Sequence, residues 1–148
     1  MALLRMEKQI ALLVALLLCS PFFAFAVPGT AKAFPPSLPF PQCTESSGGS
    51  FDHTAIIYSA KVSDTLWANG TTCGKYYCVV CTGGVDSSQP SPCRGEAYTI
   101  VIIQANCRNC EATMNISKEG FAAIADPNAA NIIKIDYAEI ENLDFPCA

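Results

Sequence analysis

Short apolar runs separated by polar turns dominate the chain beyond residue 26. Four segments have the apolar, β-branched or alternating pattern that favours strands, namely residues 55–58, 76–82, 98–103 and 132–137. The last of these places Ile133, Ile135 and Tyr137 on one face and Ile132, Lys134 and Asp136 on the other. The pattern predicts a domain built mainly of short strands.

Two short helices interrupt the predicted strands. Residues 62–67 have apolar positions at helical spacing, and a second helix is predicted from Ser117 to about Ala125. Ser117 can cap that helix, and Phe121 and Ile124 then share its apolar face. A chain of mostly short strands, with one clear helix before the last strand, indicates a small, cross-linked β-barrel or sandwich.

Residues 1–26 have the pattern of a secretory signal peptide. Arg5 and Lys8 precede an apolar run, and Ala24-Phe25-Ala26 supplies the small residues that a signal peptidase recognises. The alternative is a membrane anchor, which Pro21 disfavours because it interrupts the run. We therefore expect a secreted protein that has no membrane contact after the signal is removed.

Without residues 1–26 the chain has seven basic and twelve acidic side chains, because two of nine and one of thirteen are removed. The resulting formal charge of −5 argues against a nucleic acid as partner. Eight cysteines remain, an even number that points to a disulfide framework in a small secreted chain. They are Cys43, Cys73, Cys78, Cys81, Cys93, Cys107, Cys110 and Cys147.

Other chemistry has little support in the sequence. His53 is the single histidine, and a solvated or capping role beside Asp52 is favoured over nucleophilic catalysis. The spacing of Cys78 to Cys81 and of Cys107 to Cys110 would formally suit zinc, but an oxidising secretory route disfavours it. We expect neither a metal nor a cofactor.

An ordered series of motifs resembles a known family. Its members here are Leu66-Trp67-Ala68-Asn69-Gly70-Thr71-Thr72-Cys73-Gly74, Val79-Val80-Cys81, Pro92-Cys93-Arg94-Gly95, Cys107-Arg108-Asn109-Cys110, Met114-Asn115-Ile116-Ser117, Phe121-Ala122-Ala123-Ile124-Ala125 and Ile133-Lys134-Ile135-Asp136-Tyr137. Over about residues 29–140 the chain resembles the plant natriuretic peptide group of EG45-like proteins, which are secreted and expansin-related.

The resemblance implies a six-stranded double-psi β-barrel over residues 27–148, mainly β, with short helices and disulfide cross-links. It also places the start of the first strand at Gly29-Thr30-Ala31. Cleavage after Ala33, at the second small-residue site, would delete that strand. We therefore expect cleavage near Ala26.

The resemblance also suggests a disulfide pairing. Six cysteines match the family pattern, and Cys78 and Cys147 are additional. Related barwin proteins have a bridge from a similar position to a C-terminal cysteine, which suggests Cys78–Cys147. The remaining expected pairs are Cys43–Cys73, Cys81–Cys93 and Cys107–Cys110. A bridge from Cys147 to a second chain stays open at this point.

Barrel relatives that hydrolyse cellulose need two carboxylates that flank the scissile bond. By resemblance, one acid would lie two residues before Cys107, where this chain has Ala105, and the other would lie at Asn115. Neither an alanine nor an amide can transfer a proton near neutral pH. The resemblance therefore implies a protein that is not a hydrolase.

Double-psi barrels of this family carry an open surface groove, and the resemblance implies that Ala105 and Asn115 mark its floor. Such a groove could hold a ligand even without acids. Trp67, Tyr58 and Asn115 are the candidate groove residues, although Trp67 is favoured to pack under the barrel. Two glycosylation sequons begin at Asn69 and Asn115, and the turn position of Asn69 favours it as the glycan site.

The resemblance implies a monomeric, non-catalytic signalling protein of the plant apoplast that affects ion and water balance through a cell-surface receptor. The alternative is an expansin-like module that binds cell-wall polysaccharide without hydrolysing it. A barwin-type defence role is a further alternative, favoured slightly by Cys78 and Cys147.

Overall fold

Six strands close into a barrel in the computed structural model, which describes residues 26–34, 43, 56–141 and 147. The strands are β1 (Val27–Phe34), β2 (Ile57–Val62), β3 (Tyr76–Gly84), β4 (Tyr98–Asn106), β5 (Met114–Ser117) and β6 (Ile132–Ile140). Residues 1–25, which include nearly all of the predicted signal peptide, and His53 lie outside the described residues. No helix within the described ranges has the length and apolar character needed to cross a bilayer.

The strand order around the barrel is β1-β5-β2-β4-β3-β6. The pairs β1/β5 and β2/β4 are parallel, and the other four pairs are antiparallel. Each described strand therefore has a neighbour on both sides, and the closed barrel leaves no strand with an unpaired edge. This mainly β architecture confirms the fold class predicted from the sequence.

The observed elements differ from the predicted ones mainly at β2 and β5. Strand β2 continues to Val62, where the hydrophobic spacing predicted a helix. The four residues of β5 escaped detection because so short a segment shows almost no periodicity. In β6, Ile133 and Ile135 are buried and Lys134 is exposed, as the alternation predicted.

The two helices are short, and their ends follow local chemistry. Helix α1 (Asp64–Trp67) ends where Ala68 and Asn69 adopt φ of 46° and 57°, and Gly70 adopts 89° within the 3₁₀ turn Ala68–Gly70. Helix α2 (Lys118–Ile124) begins after Ser117, whose hydroxyl accepts a hydrogen bond from the Gly120 N–H at 3.4 Å. Ser117 is therefore the predicted cap.

The core lies inside the barrel and under α2, which packs against β1, β2, β4 and β5. Alternate residues of each strand point inward, and Phe121 and Ile124 of α2 fill the space between them with no solvent exposure. Burying side chains of this size contributes about 2–3 kcal/mol each to folding. The largest fully buried side chains are Phe121, Ile103, Met114, Ile116, Ile124, Ile133, Ile135, Val62, Val79 and Val101.

Four disulfides tie the barrel to its loops, and their pairing matches the expected one. They are Cys43–Cys73, Cys78–Cys147, Cys81–Cys93 and Cys107–Cys110, with Cα–Cα distances of 5.4–5.5 Å. Cys147 is thus bonded within its own chain. The cysteines of the two Cys-x2-Cys pairs are each bonded in one of these disulfides.

Candidate functional site

An open cleft of about 460 Å³ lies on the outer face of the barrel, where β1, β5 and β2 run side by side. Its size falls within the roughly 300–1,000 Å³ usual for ligand sites. The lining consists of strand residues and the loop that follows β4, namely Lys32, Ala33, Phe34, Lys61, Asn106, Cys107, Arg108, Asn109, Cys110, Glu111 and Asn115.

The cleft floor is a row of paired residues on adjacent strands. Asn115 of β5 is paired with Lys32 of β1 on one side and with Lys61 of β2 on the other. Lys61 is paired in turn with Ala105 of β4, just after a register shift in the ladder. Lys32 and Lys61 each lie between two apolar residues that pack toward the core. Because successive side chains of a strand point to opposite faces, both lysines point outward.

The two lysines differ in what holds them. The Lys32 ammonium forms an ion pair with Glu111 at 2.9 Å. This hydrogen bond and the charge of Lys32 hold the pKa of the Glu111 carboxyl below its usual range. The Lys61 ammonium lies 5.3 Å from the centroid of the Phe34 ring, a cation–π geometry. Both lysines line the cleft, where the Lys32 side chain is 37 % exposed and Lys61 is half-buried.

The rim of the cleft is a tight loop closed by the Cys107–Cys110 disulfide. The Cys107 N–H donates to the Val62 carbonyl at 2.8 Å, which fixes the loop to the end of β2. Asn109 adopts φ of 59° at the loop tip, and Arg108 is exposed beside it. The disulfide thus holds a guanidinium at the edge of the cleft.

The two positions expected to mark the groove floor are placed differently. Asn115 lines the cleft, whereas Ala105 is 4 % exposed and does not line it. The Asn115 Oδ1 is buried and has no hydrogen-bond partner among the described residues. Among the described residues of the lining, Glu111 is the single carboxylate.

The candidate groove aromatics lie away from the cleft. Tyr58 has the same strand parity as Ala60 and Val62, so it faces the core, and Trp67 at the end of α1 also packs against the core. The Trp67 ring lies 3.8 Å from the point where a Cβ on Gly70 would be, so the ring lies beside the turn at ordinary van der Waals distance. Within the described lining, Phe34 is the only aromatic residue.

The site residues predicted from the sequence did not include Lys32, Lys61 or Arg108, which all line the cleft. A usable signal was present for the lysines, because a lysine between two small or apolar residues in a strand must point to the solvent face. Both Ala31-Lys32-Ala33 and Ala60-Lys61-Val62 have this pattern. What the sequence could not show is that β5 brings the two strands to the same face.

The two sequons occupy different environments. Asn69 is exposed in the turn after α1, and Thr71 of its sequon is exposed too. Asn115 lies within a strand that is paired on both sides, and the next residue, Ile116, is fully buried. A glycan needs an exposed attachment site, so the geometry favours Asn69 as the acceptor.

The closed six-stranded barrel, with two parallel strand pairs and an open outer cleft, has the architecture of the expansin-type double-psi β-barrel proteins. The structure of apo expansin from Clavibacter michiganensis is similar, with a TM-score of 0.54 and 21 % identity over 84 % of this chain. A mutant of that expansin in complex with cellohexaose gives a TM-score of 0.51 and 19 % identity over 82 % of this chain. The chain spans about half the length of these expansins, at 53 % and 54 %.

Sequence comparison narrows the class. The chain is 34 % identical over 132 residues to EG45-like domain containing protein 1 of Arabidopsis thaliana, covering 89 % of this chain and 98 % of that protein. It is also 34 % identical over 115 residues to an EG45-like domain containing protein of Citrus jambhiri, covering 77 % and 82 %. The chain belongs to the EG45-like domain proteins. No family model matches the sequence.

Proposed function

We propose that the mature protein is a secreted, non-hydrolytic module of plant cell walls, and that its cleft binds an extended saccharide chain. The observation that carries the proposal is the cleft itself, which is open, polar and large enough for several sugar units. A related barrel, that of the Clavibacter michiganensis expansin, was crystallised with cellohexaose. The polar lining offers the hydrogen-bonding groups that sugar hydroxyls require.

The absence of catalysis in the proposal rests on the residues at the cleft floor. Asn115 stands where the family resemblance expects an acid, and an amide neither donates nor accepts a proton in this pH range. Glu111, the carboxylate at the rim, is bound to Lys32 and has a lowered pKa, so it is ionised and unsuited to act as a general acid. The proposal therefore assigns the cleft to the binding of a saccharide and not to its hydrolysis.

Titration of the ¹⁵N-labelled protein, beginning at Val27, with soluble wall oligosaccharides tests this proposal. We expect amide shifts to concentrate on the cleft residues, such as Lys32, Lys61 and the loop from Cys107 to Glu111. Amides of β3, which does not line the cleft, serve as the internal control.

The same samples are assayed for new reducing ends, and we expect none. Shifts confined to β3, or no shifts with any oligosaccharide, would contradict binding in the cleft. Release of reducing sugars would contradict the non-hydrolytic role.

A second candidate is signalling in the apoplast through a cell-surface receptor, with effects on ion and water balance. The loss of acids at Ala105 and Asn115 favours it, because a ligand for a receptor need not perform chemistry. The resemblance to plant natriuretic peptides supports the same role.

Addition of the mature protein to plant protoplasts tests this role, with cell volume and cGMP as readouts. We expect a response at nanomolar concentration that is lost when the four disulfides are reduced and alkylated, because the fold then loses its cross-links. An unchanged response from the reduced and alkylated protein would show that the fold is not the signal.

A further inference from the structure

Positive charge is concentrated in the cleft of an otherwise acidic protein. Lys32, Lys61 and Arg108 line the cleft, and they are three of the seven basic side chains that follow residue 26. Glu111 is the one carboxylate among the described lining residues, whereas twelve acidic side chains follow residue 26. Three cations and one anion give the described lining a formal charge of +2, opposite in sign to the −5 of the sequence that follows residue 26.

We propose that the cleft selects an anionic polysaccharide, a chain of uronic acid units whose carboxylates contact Lys32, Lys61 and Arg108. This inference rests on the proposed saccharide-binding function and specifies its ligand. A charged hydrogen bond from an ammonium or guanidinium to a carboxylate is roughly twice as strong as a neutral one. Carboxylates on the chain therefore give the cleft a means to discriminate between wall polysaccharides.

The cationic groups are available to such a ligand. The Lys32–Glu111 pair is exposed, with side-chain exposures of 37 % and 70 %, and exposed ion pairs are weak. A carboxylate of the ligand can therefore replace Glu111 at little cost. In the described part of the protein, neither Lys61 nor Arg108 takes part in an ion pair.

The spacing of the cations suits a chain of anionic units. Lys32 and Lys61 lie on β1 and β2 with β5 between them, so their backbones are roughly 10 Å apart, two strand spacings. Arg108 adds a third cation on the rim loop. A polymer with a carboxylate on each unit can contact all three positions at once, whereas a single small anion cannot.

The same lining is poorly suited to a neutral glucan. Sugar rings without charge are commonly held by stacking on exposed aromatic faces, and Phe34 is the only aromatic side chain in the described lining. Phe34 is 7 % exposed, and the Lys61 ammonium lies over its ring. Asp64 does not line the cleft, and its carboxylate accepts a hydrogen bond from the Nδ2 of the lining residue Asn106 at 2.9 Å.

Calorimetric titration with three hexasaccharides tests the proposal. The probes are hexagalacturonate, its fully methyl-esterified form, and cellohexaose. The double variant Lys32→Gln/Lys61→Gln is compared with Lys75→Gln/Lys134→Gln, which removes the same charge outside the cleft.

We expect hexagalacturonate to bind at least about tenfold more tightly than its methyl ester or cellohexaose at low salt. We expect Lys32→Gln/Lys61→Gln to lose this preference for hexagalacturonate, and Lys75→Gln/Lys134→Gln to retain it. Raising the ionic strength from 0.01 to 0.15 M should weaken only the hexagalacturonate complex, because screening shortens the reach of the charges from about 30 Å to about 8 Å.

Each other outcome overturns a different claim. Equal affinity for the ester and the acid would refute anionic selectivity and leave the saccharide-binding function standing. Equal losses in both double variants would show attraction by overall charge and refute the cleft as the selecting site. No binding of any probe would refute the proposed function, and this inference with it.

Discussion

Replacing Cys78 and Cys147 together by alanine is expected to lower the free energy of unfolding by about 4 kcal/mol. The bridge joins residues separated by 69 positions, the longest interval of the four, so its removal restores the most freedom to the unfolded chain. Cys78 is also 7 % exposed and lies in β3, so its truncation loses some packing as well. Denaturant unfolding of the oxidised variant, with its other three bridges intact, measures the change.

The Cys107→Ala/Cys110→Ala variant is the matched control. Its bridge spans only three positions, for which the same entropy relation gives about 2 kcal/mol. The two variants remove the same number of sulfurs, so the difference between them reports the loop length together with the packing lost at the buried Cys78. Equal losses from the two variants, or a larger loss from the short bridge, would contradict this explanation.

Substituting Gly120 by alanine is expected to destabilise the protein by about 2 kcal/mol, although alanine is the better helix former. Gly120 is buried in α2, where an added Cβ would lie 2.8 Å from Ile116 Cγ2 and 2.8 Å from Tyr58 Cβ. Real Cβ atoms do not approach so closely, so the helix or β2 must shift. Thermal and urea unfolding of Gly120→Ala give the size of the effect.

Gly83→Ala is the companion variant for this measurement. An added Cβ at Gly83 would meet no atom within 4 Å, and its backbone does not need a positive φ. We expect a change within about 0.5 kcal/mol. A Gly120→Ala protein as stable as the parent would contradict the tight packing of α2 against β2.

The fold could be predicted from the sequence where apolar residues are numerous and regularly spaced. Residues 98–103 and 132–137 showed their strands directly, and Phe121 and Ile124 showed the buried face of α2. Strand β5 could not be found because four residues give too short a pattern, and its partners in β1 lie about 80 positions away. Its stability depends on these distant strands, which local propensity cannot report.

The candidate site was only partly predictable. Asn115 was found through the family resemblance, since its place in the motif series is distinctive. Lys32 and Lys61 belong to successive described strands that are not paired with each other. Their shared face follows from the insertion of β5 between them, a fact of topology. Tyr58 and Trp67 were candidates for the groove because aromatic residues often bind sugars, but parity and the turn after α1 direct both to the core.

The place of β1 between β5 and β6 bears on the order of events during synthesis. Strand β1, the first of the described strands to be synthesised, pairs with strands made from residues 114–117 and 132–140. It therefore stays unpaired until these later residues have been synthesised. Contacts between such distant segments slow folding because the intervening chain must first lose its freedom. For this topology, folding is completed after chain elongation and cannot proceed strand by strand.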